Sequence, residues 1–271
     1  MILLTGAGGF VGRQVMRYLA EQGHPLRLVL RSGSPASAQL SQGAEVIETP
    51  DLFQEGSEWW LAALTGVDTV VHLAWYTEPG KYLQSELNLE CLSGTIELAR
   101  ASIQAGVRRV VGIGTCAEYD LAQGMLQTDT PLNPQTLYAA CKASVFQVLC
   151  QLLPTAGVEY AWCRLFYLYG EGEDPRRLVP YLRRQLSAGE PAELTSGNQI
   201  RDFLDVREAG AMIAKAALAE RQGPINICSG IPISVRQLAE RIADEYGHRD
   251  LLRFGARLDN LFDPPCVVGV R

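Results

Sequence analysis

The sequence has no Cys-x-x-Cys. Its seven cysteines, at 91, 116, 141, 150, 163, 228 and 266, are scattered and odd in number. That argues against a disulfide framework and for reduced thiols. Histidine is scarce, and His24, His72 and His248 stand far apart, so no metal-ligand spacing exists and no metal is expected. No apolar run approaches a membrane span, and the first residues carry neither a basic region nor a small-residue cleavage site. A cytoplasmic protein is the expectation. An excess of positive charge is missing too: the formal net charge is −6, which argues against nucleic acid as a partner. Repeats, low-complexity tracts and obvious linkers are absent.

What remains is an ordinary globular composition, 47% hydrophobic and 20% charged over 271 residues, enough for a large domain with a smaller partner. Short apolar runs alternate with longer amphipathic ones. "MILLTG" (1–6), "LRLVL" (26–30), "AEVIE" (44–48), "DTVVHLAW" (68–75), "RRVVGIGT" (108–115) and the start of "EYAWCRLFYLYG" (159–170) read as strands. Residues 11–22, 57–65, 83–105 and 136–153 read as helices. Strand–helix alternation of this kind predicts a doubly wound parallel sheet, the Rossmann fold, with helices on both faces. After Gly170 the texture changes to a charged loop, helices over 177–188, 205–219 and 234–246, and short strands. The reading is a dinucleotide-binding domain over 1–169 and a smaller, mainly substrate-binding α/β lobe over 170–271.

The loop "TGAGGFVG" (5–12) follows the first strand and opens a helix. Gly6, Gly9 and Gly12 allow a tight turn and a close backbone approach to a pyrophosphate, and the helix N-terminus favours its charge. At the end of the second strand, Leu30 stands where an acid would bind a ribose 2′-hydroxyl. Arg31 offers charge to a 2′-phosphate instead. NADP(H) is therefore favoured, with NAD(H) as the alternative. Thr115 ends the fifth strand, where parallel sheets bind ligands. Downstream, Tyr138 and Lys142 lie four residues apart, on one face of a helix.

Dinucleotide loop, strand-end hydroxyl and Tyr-x-x-x-Lys together resemble the extended short-chain dehydrogenase/reductase family, in particular its nucleotide-sugar branch. "VVHLAW" is similar to its H-x-A strand, "NLECLSGTIELARA" (88–101) to its Asn-led helix, "RLFYLYG" (164–170) to its R-x-x-N-x-Y-G segment and "RDFLDV" (201–206) to its R-D-F/Y-x-x-V segment. The resemblance implies that Tyr138 is the acid/base, Lys142 lowers its pKa and holds the nicotinamide ribose, and Thr115 orients the reacting oxygen. It implies cofactor contacts from Gly6, Gly9, Phe10, Val11, Gly12, Arg31, Asp51, Leu52, Leu73 and Ala74, beside Tyr138 and Lys142. On the substrate side it implies Cys116, Tyr167 and Arg201, the last for a diphosphate. Tyr167 stands where the family usually has Asn. The implied partners are a nucleotide-diphosphate sugar and a second copy of the chain in a homodimer.

The branch runs several reactions. Its dehydratases carry Asp-Glu after the strand-end hydroxyl, whereas here Cys116 and Ala117 follow Thr115. The expectation is NADPH-dependent reduction of a 4-keto-6-deoxyhexose, with NAD-dependent 4-epimerisation as the alternative. A non-catalytic dinucleotide-binding regulator is the reading from another class, and retention of Thr115, Tyr138 and Lys142 counts against it.

Overall fold

The computed structural model describes residues 1–33, 43–260 and 262–271; Ser34, three residues past Arg31, lies outside them. Strands β1 (Ile2–Thr5), β2 (Leu26–Arg31), β3 (Glu45–Thr49), β4 (Thr69–His72), β5 (Arg109–Thr115), β7 (Glu159–Leu165) and β11 (Gly223–Ile227) form one sheet. Its order is β11-β7-β5-β4-β1-β2-β3, and every pairing is parallel. β1 and β4 are buried at every position, which is why they read as unbroken apolar runs rather than alternating ones. Helices cover both faces. α1 (Phe10–Glu21) and α6 (Val206–Leu218) pack on one, around Leu4, Leu28, Val111 and Ile213. α2 (Ser57–Ala63), α3 (Leu87–Gln104) and α4 (Leu137–Thr155) pack on the other, around Leu3, Trp60, Val110 and Leu149. Strand order reverses between β1 and β4, and ligands bind such sheets at the carboxyl ends flanking that point.

The sequence places the changeover at residue 170, but the chain returns to the large sheet after it. α6 packs on α1 so closely that a Cβ at Gly210 would come 2.5 Å from the Gln14 Cβ, and β11 pairs with β7. The smaller lobe is built from α5 (Leu178–Ser187), α7 (Val235–Tyr246) and short strands. β10 (Ile200–Asp205) carries β8 (Tyr167–Tyr169), β12 (Pro232–Ser234) and β14 (Cys266–Gly269), and β14 also pairs with β6 (Met125–Leu126). β9 (Ala192–Leu194) pairs with β13 (Leu252–Phe254). The lobe's core is Leu182, Leu186, Leu238 and Ile242. Asp202, fully buried, ties it together by accepting bonds from the Ser229 N–H and hydroxyl, the Gly230 N–H and the Gly269 N–H.

One expectation from the sequence is corrected. Helix α4 is 19 residues long and contains an 18-residue stretch with a mean hydropathy of 1.2, enough to cross a membrane by length and composition. It is instead a core helix, with Val145, Leu149 and Leu153 packed against α3 and the sheet. Leu87 and Leu89 on α3 and Val148 on α4 remain exposed.

Candidate active site

At the switch point, Gly6 adopts a positive φ of 71°, and a Cβ there would lie 2.7 Å from the Ala74 nitrogen. A Cβ at Gly12 would overlap the Gly6 carbonyl oxygen. Both positions therefore need glycine for packing. Gly9 differs: its Cβ would meet only the Gly6 oxygen, at 3.3 Å, so a side chain is missing where a ligand would approach. Gly9 is the N-cap of α1 and makes no side-chain cap. Phe10, Val11 and Gly12 follow in the first turn, whose N–H groups have no helical acceptor. The cradle fits the pyrophosphate of a dinucleotide.

Leu73 and Ala74, at the end of β4, are held to this loop through His72. The Thr95 hydroxyl donates to the Cys91 carbonyl at 2.6 Å, so it accepts from His72 Nε2 at 2.9 Å. His72 Nδ1 then accepts from the Thr5 hydroxyl at 2.8 Å, and the Thr5 oxygen takes the Ala74 N–H at 3.1 Å. Burial and the nearby Lys142 charge press the imidazole down to about 3, so the ring is neutral and its tautomer fixed. Asp51 follows β3 and accepts from the Phe53 N–H at 3.0 Å. Leu52 beside it is half-buried. Arg31 ends β2 exposed to solvent, while Leu30 is buried in the core.

The structure brings Thr115, Tyr138 and Lys142 to the carboxyl edge of β5. Thr136 caps α4, accepting from the Ala139 N–H at 3.2 Å, and so fixes where Tyr138 emerges. The half-buried phenol touches the edge of the Tyr82 ring, centroids 4.9 Å apart. Burial pushes its pKa well above the usual tyrosine value; the Thr115 hydroxyl, its hydrogen-bond partner, acts in the opposite sense. The Lys142 ammonium donates to the Ile113 carbonyl at 2.7 Å and stands 3.8 Å from the centre of the Trp75 ring. Burial brings it down to about 7.

Glu118 went unassigned in the sequence. It is fully buried and accepts from Arg164 Nε at 2.7 Å, from Trp162 Nε1 at 3.1 and 3.0 Å, and from the Thr115 N–H at 2.8 Å. Arg164, the Arg of "RLFYLYG", is thereby spent on this pair. Cys116 lies in an apolar cluster with Tyr119, Phe166 and Cys228. Burial pushes its thiol up to about 12, so it offers no thiolate at neutral pH. Arg201, buried to 3% exposure, lies 5.2 Å from the Tyr167 ring centre. Its guanidinium is already engaged, with Asp263 at 2.7 Å and the Ile200 carbonyl at 2.8 Å. No cluster of His, Cys, Asp and Glu among the described residues could hold a metal ion.

The model of the NAD dependent epimerase/dehydratase family matches residues 2–228. The chain is 24% identical to the dTDP-6-deoxy-L-talose 4-dehydrogenase (NAD(+)) of Aggregatibacter actinomycetemcomitans, over 100% of this chain and 99% of that protein. It is 27% identical to the dTDP-glucose 4,6-dehydratase of Streptomyces griseus, over 91% of this chain and 78% of that protein. Among solved structures, MoeE5 in complex with UDP-glucose and NAD shares 26% identity at a TM-score of 0.80, covering 99% of this chain and 88% of that one.

Proposed function

The chain belongs to the NAD dependent epimerase/dehydratase family, and on that premise we propose that it transfers hydride at C4 of a nucleotide-diphosphate 6-deoxyhexose, reducing the 4-keto sugar. The observation that carries this reading is the assembly of Thr115, Tyr138 and Lys142 beside the Gly6–Gly12 cradle. A nicotinamide dinucleotide supplies the hydride when bound. Tyr138, a phenol whose pKa burial raises further above neutral, gives its proton to the C4 alkoxide as it forms. Thr115 bonds the same oxygen. Lys142 faces the ribose hydroxyls, and Arg201 takes the diphosphate once Asp263 moves aside.

Two further points support 4-keto reduction over dehydration. Cys116 and Ala117 supply no carboxylate after Thr115. Glu118, the nearest candidate, has both oxygens committed to Arg164, Trp162 and the Thr115 N–H. The dehydrogenase relative is named for oxidation at C4 of a 6-deoxyhexose, the same step run backwards. For the cofactor, Arg31 at the solvent edge of β2 supports NADP(H), whereas the NAD(+) in that relative's name supports NAD(H).

The test is to incubate the protein with 4-deuterated NADPH or NADH and dTDP- or GDP-linked 4-keto-6-deoxyhexoses. Deuterium should appear stably at C4, with one oxidised dinucleotide released per turnover, and faster from NADPH. Interconversion of C4 epimers without net cofactor consumption would establish an epimerase instead.

The exposed Leu87, Leu89 and Val148 on α3 and α4 support a homodimer joined through these helices. Light scattering at micromolar concentration should give about twice the 29.7 kDa chain mass. A monomeric mass would remove the proposal.

A further inference from the structure

Lys142 presents an electrostatic problem. Its side chain is 4% exposed, and a buried ammonium needs compensation. Of its three N–H donors, one goes to the Ile113 carbonyl. The carboxylate that raises its pKa is Glu118, but that group is already held by Arg164, Trp162 and the Thr115 N–H. The other groups facing the ammonium are the Cys91 thiol and the neutral His72. The Cys91 thiol is itself pushed up to about 11 by burial. Neither brings a formal counter-charge at neutral pH.

The remaining neighbour is an aromatic face. The Trp75 ring centre lies 3.8 Å from Lys142 Nζ, nearer than the Trp162 ring at 5.9 Å. Trp75 is also fixed on its far side. Its Nε1 donates to Asn88 Oδ1 at 2.8 Å. Asn88 is fully buried and in turn donates to the Tyr82 and Ser85 carbonyls at 2.6 and 2.8 Å. Tyr82 meets the Tyr138 ring, and Trp75 meets both the Tyr138 and Phe53 rings edge-on at 6.5 and 6.4 Å. The indole therefore has one orientation, with its electron-rich face against the ammonium.

We propose that Trp75 is a positioning residue for Lys142: its indole face, pinned by Asn88, keeps the buried ammonium charged and aimed along the edge where Tyr138 acts. The assignment rests on the reading of Tyr138 and Lys142 given above, but its physical core, stabilisation of the charged lysine, is measurable without substrate. Trp is the best of the aromatic partners for a cation, and desolvation strengthens the contact. Leucine at 75 would keep the site apolar and remove the quadrupole, so the neutral amine gains.

The chain has only three lysines, Lys81, Lys142 and Lys215, and the other two are exposed. Protein grown on lysine labelled with carbon-13 at Cε thus gives three resolvable titrations, with Lys142 assigned by its loss in Lys142→Met. Trp75→Leu should lower the Lys142 midpoint by about one unit or more, with Lys81 and Lys215 unmoved. Trp75→Phe, with a weaker face, should fall between Leu and the native protein. Should Trp75→Leu fail to fold, difluorotryptophan placed at 75 keeps the shape while depleting the face, and should lower the midpoint too. A midpoint that stays or rises in these variants overturns the proposal, as does a Phe variant equal to Leu. Turnover is a separate reading. A charged Lys142 is present below its pKa and lost above it, so the alkaline limb of kcat should move down with the midpoint. A shifted titration without a shifted limb upholds the Trp75–Lys142 contact and overturns the role of Lys142 in hydride transfer.

Discussion

Tyr138→Phe should slow turnover by about 10²–10⁴-fold, the range that a positioned general acid supplies, while leaving dinucleotide affinity nearly unchanged. The substitution removes one oxygen. The ring keeps its contacts with Tyr82 and Trp75, and Thr136 still caps the helix that carries it, so the fold has no reason to move. What is lost is the proton donor at the C4 oxygen. Thr115 remains as a hydrogen-bond partner, but its hydroxyl is too weak an acid to replace the phenol. Steady-state kinetics with the deuterium assay, and calorimetry with the dinucleotide, check the two halves. A loss below tenfold would remove Tyr138 as the acid. The raised phenol pKa also has a direction. The acid stays protonated across neutral pH, so Tyr138 adds no pH dependence to reduction there, and the limb set by Lys142 should show alone. In reverse, oxidation needs the phenolate, and with Lys142 charged its Tyr138-dependent rate should climb as pH rises toward that raised value.

The large sheet was legible because each of its strands announces itself locally. Val70, Val71, Val110 and Val111 are apolar on both faces, and the glycines of "TGAGGFVG" fall where a strand becomes a helix. The small lobe was not. β6, β9, β12 and β13 are two or three residues long, too short for a period-two pattern to show. β11 read as a lobe strand because its place beside β7 is set by α6 packing on α1, a long-range event. The site divides similarly. Thr115, Tyr138 and Lys142 could be found because sequence spacing brings hydroxyl, phenol and ammonium to one edge. What Lys142 touches could not, since Trp75 comes from the segment just past β4 and Ile113 from β5. The ion pair between Arg201 and Asp263 was not legible either, since the two lie 62 positions apart. For Glu118 a signal was present. Arg164 sits within the apolar run "EYAWCRLFY", and a charge inside a buried strand calls for a counter-charge. β5 pairs with β7 in a register that sets Gly114 opposite Arg164, which leaves Glu118, just past the strand end, as the carboxylate within reach.

That pair leads to the largest expected loss of stability. Glu118→Ala should destabilise the protein by about 3–5 kcal/mol, the cost of leaving one member of a buried ion pair uncompensated. Arg164 is 1% exposed, and without Glu118 its guanidinium keeps only the Tyr119 hydroxyl at 3.0 Å and the faces of Tyr119 and Phe146, at 4.5 and 4.4 Å. Trp162 Nε1 and the Thr115 N–H lose their acceptor in the same step. At roughly 2–4 °C per kcal/mol for a chain near this size, the midpoint of thermal unfolding should drop by roughly 10 °C, read by calorimetry or circular dichroism. Glu118→Gln keeps an acceptor for Trp162 and the Thr115 N–H but removes the charge, so its loss should be smaller. The double variant Glu118→Leu with Arg164→Met distinguishes charge burial from packing. Replacing both ions by apolar groups removes the desolvation cost with the attraction, so the double should be far more stable than the sum of its single variants predicts. An additive double variant would mean that the two side chains act separately and that packing alone holds this corner. The consequence reaches the chemistry, because Glu118 is the acceptor for the Thr115 N–H at the end of β5. Glu118→Gln, folded at 25 °C, should therefore turn over more slowly through a looser Thr115 while binding dinucleotide normally, since the Gly6–Gly12 cradle lies on β1 and α1 and shares no hydrogen bond with Glu118.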